Sequence, residues 1–147
     1  MIKLKNILRI SIVVLILILP FSLFADDKVY GNVIVSRIVR VYDGDTFTVD
    51  IDNWPDIIGY HISVRVYGID TPEIKGKTTY ERMMAKKARD LARNILYHAH
   101  KIELRNIRRG KYFRIVAEVY VDGRNLADIM LAHKLAHPYY GGHKISW

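Results

Sequence analysis

Acidic residues at two places in the sequence could hold a metal ion. Asp45 lies on the same face of a predicted strand as Phe47 and Val49, so its carboxylate should point toward the apolar side. A carboxylate placed there needs a nearby cation or several donors to offset its loss of solvation. Asp70 and the carbonyl of Thr71, which the following proline holds in an extended backbone, end another strand segment. These hard oxygen donors suit calcium or magnesium, unless the two acids make unrelated caps.

Glu73 and two arginines could supply the remaining groups of a site that acts on phosphate. Glu73 follows Asp70 by three residues, where a general base could hold an attacking water, although a surface acid near a helix start would look the same. Arg65 and Arg114 are the candidates for phosphate, because a guanidinium binds phosphate oxygens in two places and stays charged. The Lys111–Arg114 run mixes cations with aromatic rings, which suits a nucleotide but also a charged turn over a barrel end.

Other common catalytic patterns are incomplete. The chain has no cysteine, which excludes disulfides, thiolate catalysis and cysteine-based zinc sites. Gly76-Lys77-Thr78 looks like the end of a P-loop, but Thr71 stands where the first glycine is needed. His133 and His137 are four residues apart, yet Lys134 replaces the glutamate of a zinc protease. The carboxylate and arginine set is therefore the one coherent constellation in the sequence.

The elements that must position these residues are short strands and two helices. Strands are predicted over Val33–Val41, Thr46–Ile51, His61–Tyr67, Lys101–Arg105 and Arg114–Val121. Thr78 and Glu81 have the spacing of a capping box, which predicts the start of a helix. The apolar face of this helix is predicted to be Met84, Ala88, Leu91, Ile95 and Ala99. Asn125 is predicted to cap a second helix. The tail from Pro138 is predicted to be loop. The fold class is thus mainly β with helices (α+β), a five-stranded OB-fold barrel with two to three packed helices.

The N-terminal segment differs from the rest of the chain. Basic residues precede an apolar run over 10–24 and then Ala25, which is the layout of a secretory signal peptide. Leu23 fits poorly as the small residue expected before a cleavage site, so an uncleaved membrane anchor is the alternative. We expect residues 1–25 to be a signal peptide or anchor and residues 26–147 to be one domain, secreted or periplasmic if released. A monomer is expected, since no protein partner is evident.

The charge of the chain favours a polyanionic partner. The formal net charge is +8, and only three of the basic residues lie in 1–25, so residues 26–147 remain basic. Lysine and arginine side chains release counterions from phosphate backbones, which favours nucleic acid binding.

The order of the motifs resembles the thermonuclease (staphylococcal nuclease-like) family from about Val35 to Tyr140. The matching parts are DGDT at 43–46, R-x-x-x-x-DTPE at 65–73, KYFR at 111–114, VDGRNLADIML at 121–131 and LAHPYYGG at 135–142. The DGDT motif alone is a weak indication of the family. Its combination with an arginine five residues before DTPE and a later Tyr-x-Arg is a specific one.

The resemblance implies a fold, a cofactor and a reaction. It implies an OB-fold barrel that holds calcium through Asp45, Asp70 and the Thr71 carbonyl. It also implies Glu73 as general base or as the group that orients the water, and Arg65 and Arg114 on the reacting phosphate. Tyr112 and Tyr140 are similar to the family's substrate-contacting tyrosines, and the residue pattern adds Lys111 as a substrate contact. Family members hydrolyse DNA and RNA and leave 3′-phosphate ends.

Three positions depart from the family pattern. Gly110 replaces an acid, Phe113 replaces a glycine, and Gly142 stands near the place of a second tyrosine. These changes affect the expected contacts to the nucleotide base and leave the metal and arginine set intact.

The alternative function is a catalytically inactive nucleic-acid-binding module on the same barrel. A pure binder has no need of convergent acids that repel phosphate, which favours the enzyme.

Overall fold

A computed structural model describes residues 28–147, so the predicted signal peptide or anchor lies outside the described residues. In the described part the strands are β1 (Val33–Ile34), β2 (Arg37–Val41), β3 (Thr46–Asp50), β4 (Ile62–Val66), β5 (Gly68–Asp70), β6 (Ile102–Arg109), β7 (Ile115–Val121), β8 (Arg124–Asn125) and β9 (His137–Tyr139). The helices are α1 (Asp56–Gly59), α2 (Thr79–Tyr97) and α3 (Leu126–Ala132). No helix within residues 28–147 is long and apolar enough to cross a membrane.

The strands form a curled sheet in the order β1-β6-β7-β4-β3-β2, with β8 added to β7. The pair β4–β7 is parallel and the other pairs are antiparallel. The five strands of five or more residues, β2, β3, β4, β6 and β7, correspond to the five predicted strands. The predicted α+β class with an OB-type sheet and two to three helices is confirmed.

The first predicted strand is divided at Val35 and Ser36, because the chain changes partner there. The Val35 amide donates to Ile102 in β6, whereas the Ser36 amide donates to Asp50 at the end of β3. Hydrophobic pattern alone cannot show this change, since both halves are rich in β-branched residues.

The long helix α2 packs on the sheet through small side chains. Its buried residues are Ala85, Ala88, Ala92 and Leu96. The predicted stripe was partly wrong: Met84, Leu91 and Ile95 flank this face and are only partly buried, and Ala99 lies beyond the helix end. Alanines on the buried face let the helix backbone approach closely, and a Cβ built on Gly44 would lie 2.8 Å from the Cβ of Ala88. The helix therefore packs directly against the turn that precedes β3.

Both predicted helix caps are present. The Thr78 hydroxyl accepts from the Glu81 amide at 3.0 Å, and the Asn125 side chain accepts from the Ala127 amide at 2.8 Å. Helix α3 ends at Ala132, so His133 and His137 do not share a helix.

The C-terminal tail is more ordered than predicted. His137–Tyr139 forms the short strand β9, which pairs antiparallel with β5, so that His137 lies opposite Asp70. A strand this short is stabilised by backbone hydrogen bonds to a distant segment. The local sequence, which is rich in tyrosine and glycine, does not predict that pairing. The pairing ties the tail to the segment that carries Asp70.

Candidate functional site

Asp45 and Arg65 meet where β3 begins and β4 nears its end. Thr46 pairs with Arg65 in the β3–β4 ladder, which brings the preceding Asp45 beside the arginine. The Arg65 Nη1 donates to Asp45 Oδ1 at 2.8 Å, and Thr46 Oγ1 donates to the same oxygen at 2.8 Å. Asp45 is only 2% exposed. The cation that the sequence requires beside Asp45 is therefore Arg65.

The same guanidinium also holds Asp70. The short strand β5 delivers this carboxylate, which lies 2.8 Å from Arg65 Nη2 and is almost fully buried. One arginine thus bridges two acids that are 25 positions apart in sequence. Burial tends to lower the pKa of Arg65, but the adjacent carboxylates, Asp45 foremost, raise that pKa overall, so the guanidinium stays charged.

Thr71 completes an oxygen-rich surface around these carboxylates. Its amide donates to Asp45 Oδ2 at 2.8 Å, and its hydroxyl is buried without a hydrogen-bond partner in the described part. Two carboxylates and an unpartnered hydroxyl are hard donors, which fits calcium better than a soft metal. Within residues 28–147 no three histidine, cysteine or acidic side chains converge as a metal cluster, so water and substrate phosphate would have to fill the remaining positions.

Asp43 is a buried acid that the sequence analysis named only as part of the DGDT motif and gave no role. Its Oδ1 accepts from the Asp45 amide at 3.1 Å, and the residue is 6% exposed. Burial, and then the negative charge of Asp45, raises the pKa of Asp43 to about 7. Burial also raises the pKa of Asp45, against the opposing effect of Arg65. The raised pKa values therefore reflect the crowding of several buried acids in one place.

Lys144 is the second residue that the sequence interpretation missed. Its Nζ lies 2.9 Å from Asp70 Oδ1 and 3.0 Å from Glu73 Oε1. The Glu73 side chain is about half exposed, so it reaches the cluster from the solvent side. No sequence signal marked Lys144, because it follows the last matched motif in a glycine-containing tail.

The Lys111–Arg114 segment forms the tight turn between β6 and β7. The Arg114 amide donates to the Lys111 carbonyl at 3.1 Å, and the two central residues, Tyr112 and Phe113, have φ of 56° and 59°. Such left-handed positions normally favour Asn and Gly. Tyr112 is 94% exposed and Phe113 is also exposed, so the turn presents two aromatic rings to solvent.

Arg114 lies next to the site but outside the ion-pair cluster. Arg65 pairs with Val116 across the parallel β4–β7 ladder, and Arg114 lies two residues before Val116, immediately ahead of β7. No hydrogen bond or ion pair described for residues 28–147 joins its side chain to Asp45 or Asp70, and its buried Nε has no partner. The structure thus gathers Arg65, Asp45, Asp70, Thr71 and Glu73, and it leaves Lys111, Tyr112 and Arg114 at the adjacent turn.

Tyr140 belongs to an aromatic surface beside β5. Its ring meets Tyr67 edge-on with centroids 5.6 Å apart, and the Arg108 guanidinium lies 4.1 Å from the centre of the Tyr67 ring. Tyr140 is three-quarters exposed. An exposed ring next to guanidinium groups can stack on a nucleobase while the cations contact phosphate.

Asp43→Asn should change how the stability of the calcium-free protein depends on pH. A carboxyl whose pKa is raised by folding stabilises the protein fully below its unfolded pKa, and this contribution is lost as pH rises toward about 7. We expect the variant to match the wild type near pH 4 and to exceed its free energy of unfolding at pH 8 by at least about 1 kcal/mol. Urea denaturation in chelator at each pH measures the difference, and a pH-independent difference would contradict the prediction. Asparagine can still accept from the Asp45 amide, so the turn is kept.

Comparisons with known proteins indicate the family of this chain. The family model described as "Staphylococcal nuclease homologue" matches residues 63–144. The chain is 31% identical over 104 residues to the SPbeta prophage-derived endonuclease YokF of Bacillus subtilis (strain 168), covering 69% of this chain and 33% of that protein. It is 30% identical over 104 residues to Endonuclease YncB of the same organism, covering 69% of this chain and 46% of that protein. The chain spans less than half the length of either relative. Because the family match covers more than half of the sequence and contains Arg65, Asp70 and Arg114, this chain belongs to the staphylococcal nuclease homologue family.

Proposed function

We propose that this chain is a calcium-dependent nuclease that hydrolyses phosphodiester bonds of DNA, RNA or both. The observation that carries the proposal is the Arg65 guanidinium held between the buried carboxylates of Asp45 and Asp70, with Glu73 at the solvent side. The names of the two relatives, both endonucleases, support the same reaction class.

Calcium is proposed as the cofactor because of the chemistry of the donor set. Asp45, Asp70 and Thr71 offer oxygen atoms only, and all three are buried beside the half-exposed Glu73. When bound, calcium would polarise a phosphate oxygen and neutralise developing charge.

The side chains of this chain then have separate roles. Glu73 takes a proton from the attacking water, which its half-exposed carboxylate can reach. Arg65 uses part of its five-donor fork on Asp45 and Asp70, so other N–H groups remain for phosphate oxygens. Arg114 contacts the phosphate from the adjacent turn. Cleavage of the bond between phosphorus and the 5′ oxygen leaves a 3′-phosphate end. Removing one arginine that donates hydrogen bonds to the transition state typically raises the activation free energy by about 2–4 kcal/mol.

The competing proposal is a binding module without catalysis, and the acids argue against it. Asp45 and Asp70 are buried beside the Arg65 guanidinium, and Asp43 is buried in the same turn as Asp45, so a phosphate group that reached Arg65 would meet acids. Their repulsion of a polyanion weakens binding unless a divalent cation intervenes. A metal-dependent reaction gives these convergent acids a role, whereas simple binding does not.

Glu73→Gln tests the reaction. We expect the variant to bind an oligonucleotide as the wild type does and to lose about 10²- to 10⁴-fold in cleavage rate, because it cannot accept the proton. Plasmid and RNA cleavage by residues 26–147 should be measured with calcium and with excess chelator. Wild-type protein that cuts equally well in chelator would exclude the metal, and equal rates for both proteins would exclude Glu73 as base.

Asp45→Asn tests the metal site. We expect the variant to lose the calcium-induced rise in Tm, because a neutral amide is a weaker ligand than a carboxylate. Asp56→Asn removes the same charge from the exposed start of α1 and should keep the wild-type response. Calorimetric titration with calcium gives the affinity directly. An Asp45→Asn protein that still binds calcium with wild-type affinity is the result that rules out this ligand.

We further propose that the protein is exported by its N-terminal segment. The support is the basic start, the apolar run and the following Ala25 in the sequence. Sequencing the N-terminus of the protein produced in a bacterial host should give a start near Asp26. A full-length protein that remains in the membrane fraction would show that residues 1–25 act as an anchor instead.

A further inference from the structure

We propose that Lys144 is a positioning residue for Glu73, which it holds against the fixed carboxylate of Asp70. This inference rests on the proposed function, in which Glu73 is the base. It assigns a role in the reaction to the C-terminal tail.

The ammonium group of Lys144 joins a buried acid, Asp70, to a half-exposed acid, Glu73. Asp70 is 4% exposed and is already fixed by Arg65 and by its place in β5. Glu73 is about half exposed, and in residues 28–147 Lys144 is the only side chain that forms a hydrogen bond or ion pair with its carboxylate. An exposed glutamate without such a contact would sample several rotamers. The distances of 2.9 Å and 3.0 Å therefore restrict Glu73 relative to Asp70.

The tail is itself anchored on both sides of Lys144. Before it, β9 pairs with β5, and His137 lies opposite Asp70. After it, the ring of Trp147 contacts the ring of His137 with centroids 4.0 Å apart. The segment between these anchors loops back over β5, which brings Lys144 to the acids.

Lys144 and a metal ion do not need the same oxygen atom. Asp70 Oδ1 accepts from both Arg65 and Lys144, while no donor in the described part bonds to Oδ2. The free oxygen is available to a cation, and the bridge to Glu73 can persist when one binds. The alternative role for Lys144, as a cation that attracts the polyanion, makes a different kinetic prediction.

Lys144→Gln should lower kcat for cleavage about tenfold and leave KM for an oligonucleotide within about twofold, since a displaced base slows the reaction without weakening binding. Lys144→Arg, which can still bridge two carboxylates, should recover most of the lost rate. Lys87→Gln removes the same charge from the exposed face of α2 and should behave as the wild type. An unchanged kcat, or a rise in KM alone, would overturn the proposal.

A double-mutant cycle with Glu73→Gln separates positioning from a general loss of charge. If Lys144 acts through Glu73, Lys144→Gln causes no further loss of rate in the Glu73→Gln background. Independent, multiplicative losses would overturn the proposal.

A second cycle, measured as Tm in chelator, distinguishes failure of this inference from failure of the proposed function. The bridge predicts that the double variant loses no more stability than the more damaging single variant. Additive losses of Tm would show that the bridge is absent, whatever the activity. Wild-type protein that cuts no nucleic acid at any calcium concentration would instead overturn the proposed function, and the Tm cycle would still decide whether Lys144 holds Glu73.

Discussion

The site depends on the burial of carboxylates against a single guanidinium. Asp45 and Asp70 are almost inaccessible to water, and Arg65 contacts both at 2.8 Å. Removing acids from water is costly, and one arginine offsets that cost only if its geometry satisfies both partners. The β3–β4 ladder places Asp45 beside Arg65, and β5, which follows β4 after one intervening residue, carries Asp70. Lys144 adds a second positive charge beside Asp70 and Glu73, so the acids of the site are held by two cations from distant parts of the chain.

Much of this arrangement could be predicted from the sequence because local rules govern it. Asp45 shares a strand face with Phe47 and Val49, which predicted that its carboxylate points into the interior, and the structure shows it buried. The caps at Thr78 and Asn125 depend on neighbouring residues only, and both are present. The five long strands follow from alternation of apolar and polar residues, which the curled sheet preserves.

The features that could not be predicted depend on contacts between distant segments. Lys144 reaches Glu73 only because β9 pairs with β5, and nothing near Lys144 in sequence reports that pairing. Asp43 resembled an ordinary turn residue until the packing of α2 on Gly44 showed how deeply the turn is buried. The buried face of α2 was shifted toward Ala85 and Ala92, because the close approach of a helix to a sheet selects small residues that hydrophobicity ranks low. The roles of the individual site residues in binding and catalysis stay predictions.

The parallel pairing of β4 with β7 has a consequence for how the protein matures. These adjacent strands are separated in sequence by α2 and β6, so the chain must close a long loop before they can pair. Long-range pairing of this kind is slow compared with the formation of local helices and hairpins. Arg65 stands on one of these strands, and Arg114 immediately precedes the other. In an unfolded chain these two arginines are far apart, so any activity that needs both would arise only after β4 and β7 have paired.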